Sequence, residues 1–228
     1  MKKIFILMSG QGNLLKYILN YFKKNNSKNI SISGVFSNKF NVSAIKIAEK
    51  EKMPFFFFKE NTSYNNDYLN EYLYNLIKLY EPDLIILAGY MKKISSFITK
   101  KYFGKIINIH PSLLPKYPGL NTYKRALFNN EKNHGTSIHF VTSKIDAGPI
   151  IFQYEIPILS KDNIFSLKNK VKKIEYIYYP LIIDLILKKK IIIENNKVFF
   201  EKSIFFFFKN FTIKNNIMIN IRNSNKCL

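Results

Sequence analysis

"PDLIILAG", residues 82–89, is the stretch on which the fold turns. Four consecutive aliphatic residues, Leu84 to Leu87, follow a Pro-Asp start and stop at Ala88-Gly89. Side chains of a strand alternate between faces, so an unbroken apolar run needs cover on both sides. A strand with one wet face would alternate instead. The run therefore predicts a strand inside a mostly parallel central sheet with helices on both faces, an α/β fold.

The flanking sequence fits that reading. "KKIFILM" ends at "SGQGN", and a helical pattern follows from Leu14 to Lys24. "NISISGVFS" alternates as a strand, and "NVSAIKIAEKEK" has helical spacing after Asn41, a candidate cap. "MPFFFF" reads as a third strand. In "NDYLNEYLYNLIKLYE", Tyr68, Leu69, Tyr72, Leu73, Leu76, Ile77 and Tyr80 fall on one helical face. A short helix and the strand "GKIINI" come after the central run. Strand and helix alternate this far, the order of a parallel sheet.

Downstream the pattern changes. "INIHPSLLPKYPGL", residues 107–120, packs three prolines and a glycine behind an Asn and a His. "TYKRALFN" suggests a short helix, and "GTSIHFVT" and "PIIFQYEIPI" suggest strands joined through "SKIDAG". A long helix is expected from about Asn163 to Lys188, then a hairpin turning at Asn195-Asn196. Residues 1–201 read as one domain. Residues 202–228 form a Phe- and Asn-rich tail, either an added edge strand or a disordered extension.

The chain has 228 residues and a formal charge of +21. Such a charge suggests nucleic acid, but Lys supplies nearly all of it and the only arginines are Arg125 and Arg222. Clamping phosphates and reading bases favour arginine forks. Ile, Asn, Phe, Tyr and Lys are all encoded by AT-rich codons, so drift in an AT-rich genome accounts for the charge and the composition together. We expect no nucleic-acid partner; the field would still attract small anions. No apolar run approaches the roughly 18 residues that span a bilayer. The apolar part of "MKKIFILMSG", Ile4 to Met8, is short for a signal peptide. A cytoplasmic protein without a membrane partner is expected. The single cysteine, Cys227, and three histidines give no Cys/His metal pattern, and no metal is expected.

In an open parallel sheet, ligands collect beyond the carboxyl ends of the strands. Gly10-Gln11-Gly12 leads into a helix, where backbone N–H groups can hold an anion; a plain tight turn is the competing explanation. A dinucleotide pattern would place a third glycine at Leu15. Asn108 and His110 share a strand face, and Pro111 fixes the exit from it. Asp146 sits in a loop closed by Gly148-Pro149, where a turn role competes with a chemical one. His139 lies among apolar neighbours and reads as a core histidine; His134 reads as structural.

Together, "SGQGN", "PDLIILAGYMKKI", "NIHPSLLPKYPG" and "HGTSIHFVTSKIDAGPII" resemble the phosphoribosylglycinamide formyltransferase family, colinearly from about Lys3 to Phe200. The resemblance implies a Rossmann-like formyltransferase fold. It also implies formyl transfer from 10-formyltetrahydrofolate, as co-substrate, to the amine of phosphoribosylglycinamide in purine biosynthesis. The family's catalytic residues fall on Asn108, His110 and Asp146. Asn108 would donate to the oxyanion, and protonated His110 would stabilise it and supply a proton. Asp146 is expected to raise the His110 pKa. The resemblance places folate contacts on Met91, Lys92, Lys93, Ile94, Asn108, Thr142 and Asp146. It places the glycinamide substrate on Gly12, Asn13, Leu14, Lys172 and Glu175.

Two positions depart from the family. Its phosphate loop usually continues Gly-x-Gly-Ser/Thr-Asn-Leu, whereas here Gly12 is followed by Asn13, Leu14 and Leu15. Asn66 stands where members often carry an Arg. Both changes are expected to weaken anion contacts, which leaves a catalytically weakened anion-binding remnant as one alternative. The other is the methionyl-tRNA formyltransferase type, which shares the core. That type normally adds a carboxy-terminal barrel domain, for which the short tail is expected to leave no room.

Overall fold

Strand β1 (Lys2–Met8) buries five residues in succession, Ile4 to Met8, and β4 (Leu84–Leu87) buries all four. Both faces of these strands are therefore covered, as the unbroken apolar runs require. The computed structural model describes residues 1–27, 29–40, 42–58, 66–205 and 208. The chain divides into two compact units, Met1–Asn108 and Ile109–Leu228.

In the first unit, β1 is followed by α1 (Asn13–Lys24), β2 (Ile30–Ser37), α2 (Val42–Lys50) and β3 (Phe55–Phe57). Then come α3 (Asn66–Tyr80), β4, α4 (Ser96–Lys101) and β5 (Ile106–His110), whose last two residues open the second unit. The strand order is β3-β2-β1-β4-β5, and every pairing is parallel. The chain starts in the middle at β1, winds outward to β3, and returns to β1's other side as β4. The order thus reverses between β1 and β4, and in open α/β sheets ligands bind beyond the carboxyl ends of the strands at such a point. The register sets Leu7 beside Leu87 and Leu87 beside Asn108.

Helix α3 departs from the expected face. Leu69, Leu73, Leu76 and Ile77 are buried, but Tyr68 is 55% exposed. Tyr72 and Tyr80 are half-buried at the flanks, against Phe36 and Phe58 and against Phe5 and Phe56. The hydroxyl decides this: a tyrosine keeps its polar end wet while its ring covers apolar surface.

In the second unit, α5 (Thr122–Phe128) leads to β6 (Asn133–Phe140) and β7 (Ile150–Pro157), which pair antiparallel and continue the order β5-β6-β7. Helix α6 (Ile164–Leu187) starts at a capping box: Asn163 Oδ1 accepts from Ser166 N–H at 2.9 Å, and Ser166 Oγ accepts from Asn163 N–H at 3.0 Å. The hairpin of β8 (Ile191–Glu194) and β9 (Lys197–Phe200) turns at Asn195 and Asn196, both at positive φ, 48° and 60°. That is the two-residue turn whose twist suits a hairpin. Of the tail, residues 202–205 form one helical turn, and Phe208 packs on Phe152 with ring centroids 5.7 Å apart. The other tail residues from 206 on, and the candidate cap Asn41, lie outside the described residues. Among the described residues, no helix is long and apolar enough to cross a membrane.

The β6–β7 connection carries Asp146, and its closure depends on Gly148. A Cβ there would overlap the Phe140 carbonyl oxygen and crowd Thr142 Cγ2 at 3.3 Å. Phe140 N–H also donates to Pro149 O at 2.9 Å, so the two strands cannot part locally. Gly148→Ala should therefore cost about 2 kcal/mol or more in urea unfolding. Gly10→Ala, where no atom lies within 4 Å of the added carbon, should stay within about 0.5 kcal/mol of the parent.

Candidate functional site

Two loops leave the carboxyl ends of β1 and β4 in the first unit. After β1, Gly12 takes φ 81° and starts α1 without a side-chain cap. The first amides of α1 are thus not used by a cap, which suits an anion. Asn13 is exposed and Leu14 half-buried. Leu15 is fully buried, so a core side chain fills the third-glycine place of a dinucleotide pattern. After β4, residues 91–94 run outward: Met91 is 60% exposed, Lys92 half-buried and Lys93 exposed, while Ile94 is buried. Ser9 connects the two loops. Its hydroxyl accepts from Met91 N–H at 3.0 Å and donates to Asn38 Oδ1 at 2.6 Å. Asn66, at the start of α3, is exposed, and its carbonyl accepts from Asn70 Nδ2 at 2.6 Å.

Strand β5 runs one residue further than expected and ends on His110 itself. Asn108 and His110 lie on one face of it by alternation, Asn108 half-buried and His110 buried. His110 Nε2 lies 2.9 Å from the Tyr117 carbonyl oxygen. A carbonyl only accepts, so that nitrogen carries a proton. His110 Nδ1 faces Asp146 Oδ2 at 3.4 Å. The other oxygen of Asp146 faces His139 Nε2 at 3.6 Å, and Gly119 N–H donates to Oδ2 at 2.8 Å. Asp146 is only about a tenth exposed at its side chain and takes φ 49°, a conformation that Asp tolerates better than most.

The proline loop is rigid because its polar groups are spoken for. Ser137 Oγ donates to Ser112 O at 2.6 Å and accepts from Leu114 N–H at 3.0 Å and Gln153 Nε2 at 2.8 Å. Gln153 Nε2 also donates to Leu114 O at 2.7 Å. Ser112 Oγ donates to Lys116 O at 2.7 Å. These bonds fix the path that carries Tyr117 O to His110 and Gly119 N–H to Asp146. Thr142, in the loop before Asp146, donates to Lys144 O at 3.2 Å.

Asp146 acts on His110 as expected, but burial sets the net direction. Burial pushes the His110 pKa down, and Asp146 and the Tyr117 bond, which push it up, do not make good the loss; the net direction is below the ordinary value. The carboxylate acts with the expected sign, but desolvation wins, so the resting ring is neutral near pH 7. Asp146 goes the other way. Burial raises it, but His139, the Gly119 N–H and His110 together hold it below the usual carboxylate range. His134 is buried with Nε2 unpartnered among the described residues, and burial pushes it down to about 4.

Glu175 on α6 is buried, not solvated, and burial raises it to about 7. Thr136 Oγ1 lies 3.2 Å from Glu175 Oε1 and 3.1 Å from His110 O. A hydroxyl has one proton to give. With Glu175 ionised, Thr136 donates to it; with Glu175 protonated, Glu175 donates to Thr136 and Thr136 to the His110 carbonyl. Lys172, one turn earlier, is half-buried and helps keep Glu175 charged.

Sequence reading thus anticipated His110 beside Asp146 but missed His139 on the same carboxylate, and it missed Ser9, Ser137 and Gln153. The signal for His139 was a lone imidazole in an apolar strand, which alone reads as packing.

The chain matches the Formyl transferase family over residues 2–183. It is 41% identical over 187 residues to a phosphoribosylglycinamide formyltransferase of Haemophilus influenzae, covering 80% of this chain and 86% of that one. It is 37% identical over 185 residues to the enzyme of the same name from Escherichia coli, covering 79% and 84%. The structure of a phosphoribosylglycinamide formyltransferase from Coxiella burnetii, in complex with CHES, superposes with a TM-score of 0.80 at 37% identity, over 87% of this chain and 93% of that one. With matches that span nearly the whole described chain, it belongs to the formyl transferase family.

Proposed function

We propose that this chain transfers the formyl group of 10-formyltetrahydrofolate to the amine of phosphoribosylglycinamide, with residues 1–201 as the catalytic domain. The observation that supports it most is a buried imidazole paired with a carboxylate, His110 with Asp146, two residues beyond Asn108 on one strand face. The identity to enzymes named for that reaction adds to it.

The chemistry moves one proton and exchanges one bond. The amine attacks the formyl carbon, a C–N bond forms, and the formyl oxygen becomes an oxyanion. Asn108 offers its amide N–H to that charge. His110 starts neutral with its proton on Nε2, so Nδ1, the nitrogen that faces Asp146, takes the proton that the attacking amine sheds, and the ring becomes an imidazolium. Asp146 stabilises that cation. The imidazolium then hands the proton to the folate nitrogen as its bond to carbon breaks, leaving tetrahydrofolate and the formylated amide. A ring held neutral before the attack suits this order better than a ring already charged.

Residues 91–94 and 142–146 and Asn108 would meet the folate, largely through backbone groups. The uncapped start of α1 at Gly12, Asn13 and Leu14 would take the phosphate through N–H donors, in place of the missing hydroxyl. Glu175 and Lys172 would hold the ribose and amine end. Asn66, at the start of α3, supplies no charge, so in the first unit affinity for the anion rests on backbone groups and the general positive field.

Asn108→Ala and His110→Ala should each lower turnover by about a hundredfold or more, with the melting temperature nearly unchanged. The assay is formyl transfer from 10-formyltetrahydrofolate to glycinamide ribonucleotide, run beside charged initiator tRNA. Transfer to the tRNA alone would reject the proposed acceptor, and near-normal turnover in either variant would reject the assigned roles.

A further inference from the structure

Residues 89–95 leave the carboxyl end of β4 and enter α4 at Ser95, and three hydrogen bonds grip this segment from outside. Ser9 N–H donates to Gly89 O at 3.2 Å, and Ser9 Oγ accepts from Met91 N–H at 3.0 Å. At the far end, Asn70 Oδ1 accepts from Ser95 N–H at 2.8 Å. Ser95 in turn caps α4, its Oγ accepting from Ile98 N–H at 3.3 Å. Between the grips, Ile94 is buried while Met91 and Lys93 are exposed.

The grip on Met91 is built with some care. A hydroxyl is free to rotate unless its own proton is placed. Ser9's proton is placed by Asn38 Oδ1 at 2.6 Å, and both side chains are nearly inaccessible, at 6% and 4%. The lone pair of Ser9 is thereby aimed at Met91 N–H, which takes that amide out of play. Between Met91 and Ile94, Lys92 is half-buried and Lys93 exposed. Asn70 is held similarly, its Nδ2 donating to Asn66 O at 2.6 Å, so its oxygen is presented to Ser95.

We propose that Ser9 and Asn70 are positioning residues for the folate: they clamp residues 91–94 into the one backbone path that reads the pterin ring. The inference rests on the function proposed above. Neither residue touches the ligand. Each acts by removing freedom that binding would otherwise have to remove. A flexible main-chain reader must be ordered on every encounter; a clamped one is already in place.

Tetrahydrofolate binding by calorimetry, under nitrogen, tests this on the full chain alongside melting temperatures. Ser9→Ala and Asn70→Ala should each weaken binding about three- to tenfold, the size of one lost hydrogen bond. Asn70→Asp keeps the acceptor for Ser95 N–H but loses the donor to Asn66 O that aims it, so its binding should fall between that of Asn70→Ala and the parent. Asn70→Ala should leave affinity for glycinamide ribonucleotide within about the same twofold. If both alanine variants melt lower yet bind tetrahydrofolate like the parent, the bonds serve the fold alone and the inference fails while the proposed function stands. If the parent neither binds tetrahydrofolate nor transfers formyl groups, both fail.

Discussion

The second unit is organised around one buried carboxylate. Asp146 has almost no access to water, yet its pKa is held low, which a lone buried acid could not manage. The Gly119 N–H donates to it at 2.8 Å, and the His110 and His139 rings lie 3.4 and 3.6 Å from its two oxygens. Gly119 belongs to the proline loop, His110 to β5 and His139 to β6, so one side chain ties three segments together. Burial sets the other half of the balance: it keeps His110 neutral at rest while leaving a partner that welcomes its charge once a proton arrives. A general acid–base group needs access to both states at modest cost, and this arrangement gives it.

The scaffold around that carboxylate is specified by closures rather than by core volume. Gly148 lets the β6–β7 connection pass the Phe140 carbonyl, and Ser137 with Gln153 satisfies the backbone groups of the proline loop. In the first unit the same economy appears at the carboxyl ends of β1 and β4, where Ser9 joins the end of β1 to the loop at Met91 through two hydrogen bonds, its N–H to Gly89 O and its Oγ from Met91 N–H. In both places a small hydroxyl, hidden in the core edge, fixes the backbone that a ligand would meet.

Most of the architecture was legible because burial on both faces leaves a mark that needs no partner to be read. Leu84 to Leu87 are apolar in an unbroken row, too short for a buried helix and bounded by Pro82 and Gly89, which marks a strand. Asn195-Asn196 was legible for a similar reason, since two residues at positive φ call for such side chains. Asn108 and His110 could be placed on one face by counting alone, and family resemblance singled out Asp146. What could not be read were quantities set by distant chain. The pKa of His110 depends on how deeply β5 is covered: Asp146 raises it, as expected, but burial outweighs that effect. His139, Ser137 and Gln153 are ordinary strand residues until the antiparallel register brings them to the loop. Tyr68 fits the helical period of α3, yet the period marks a face and not how far around it the core extends.

The balance at Asp146 can be measured directly by following the His110 ring through a pH titration by NMR, in the ligand-free protein and in Asp146→Asn. Burial should put its midpoint below the ordinary histidine value of about 6.5, and loss of the carboxylate should move it lower still. A midpoint above that value in the parent, or one that the substitution leaves in place, would mean that the carboxylate and the imidazole do not share a charge in the way described.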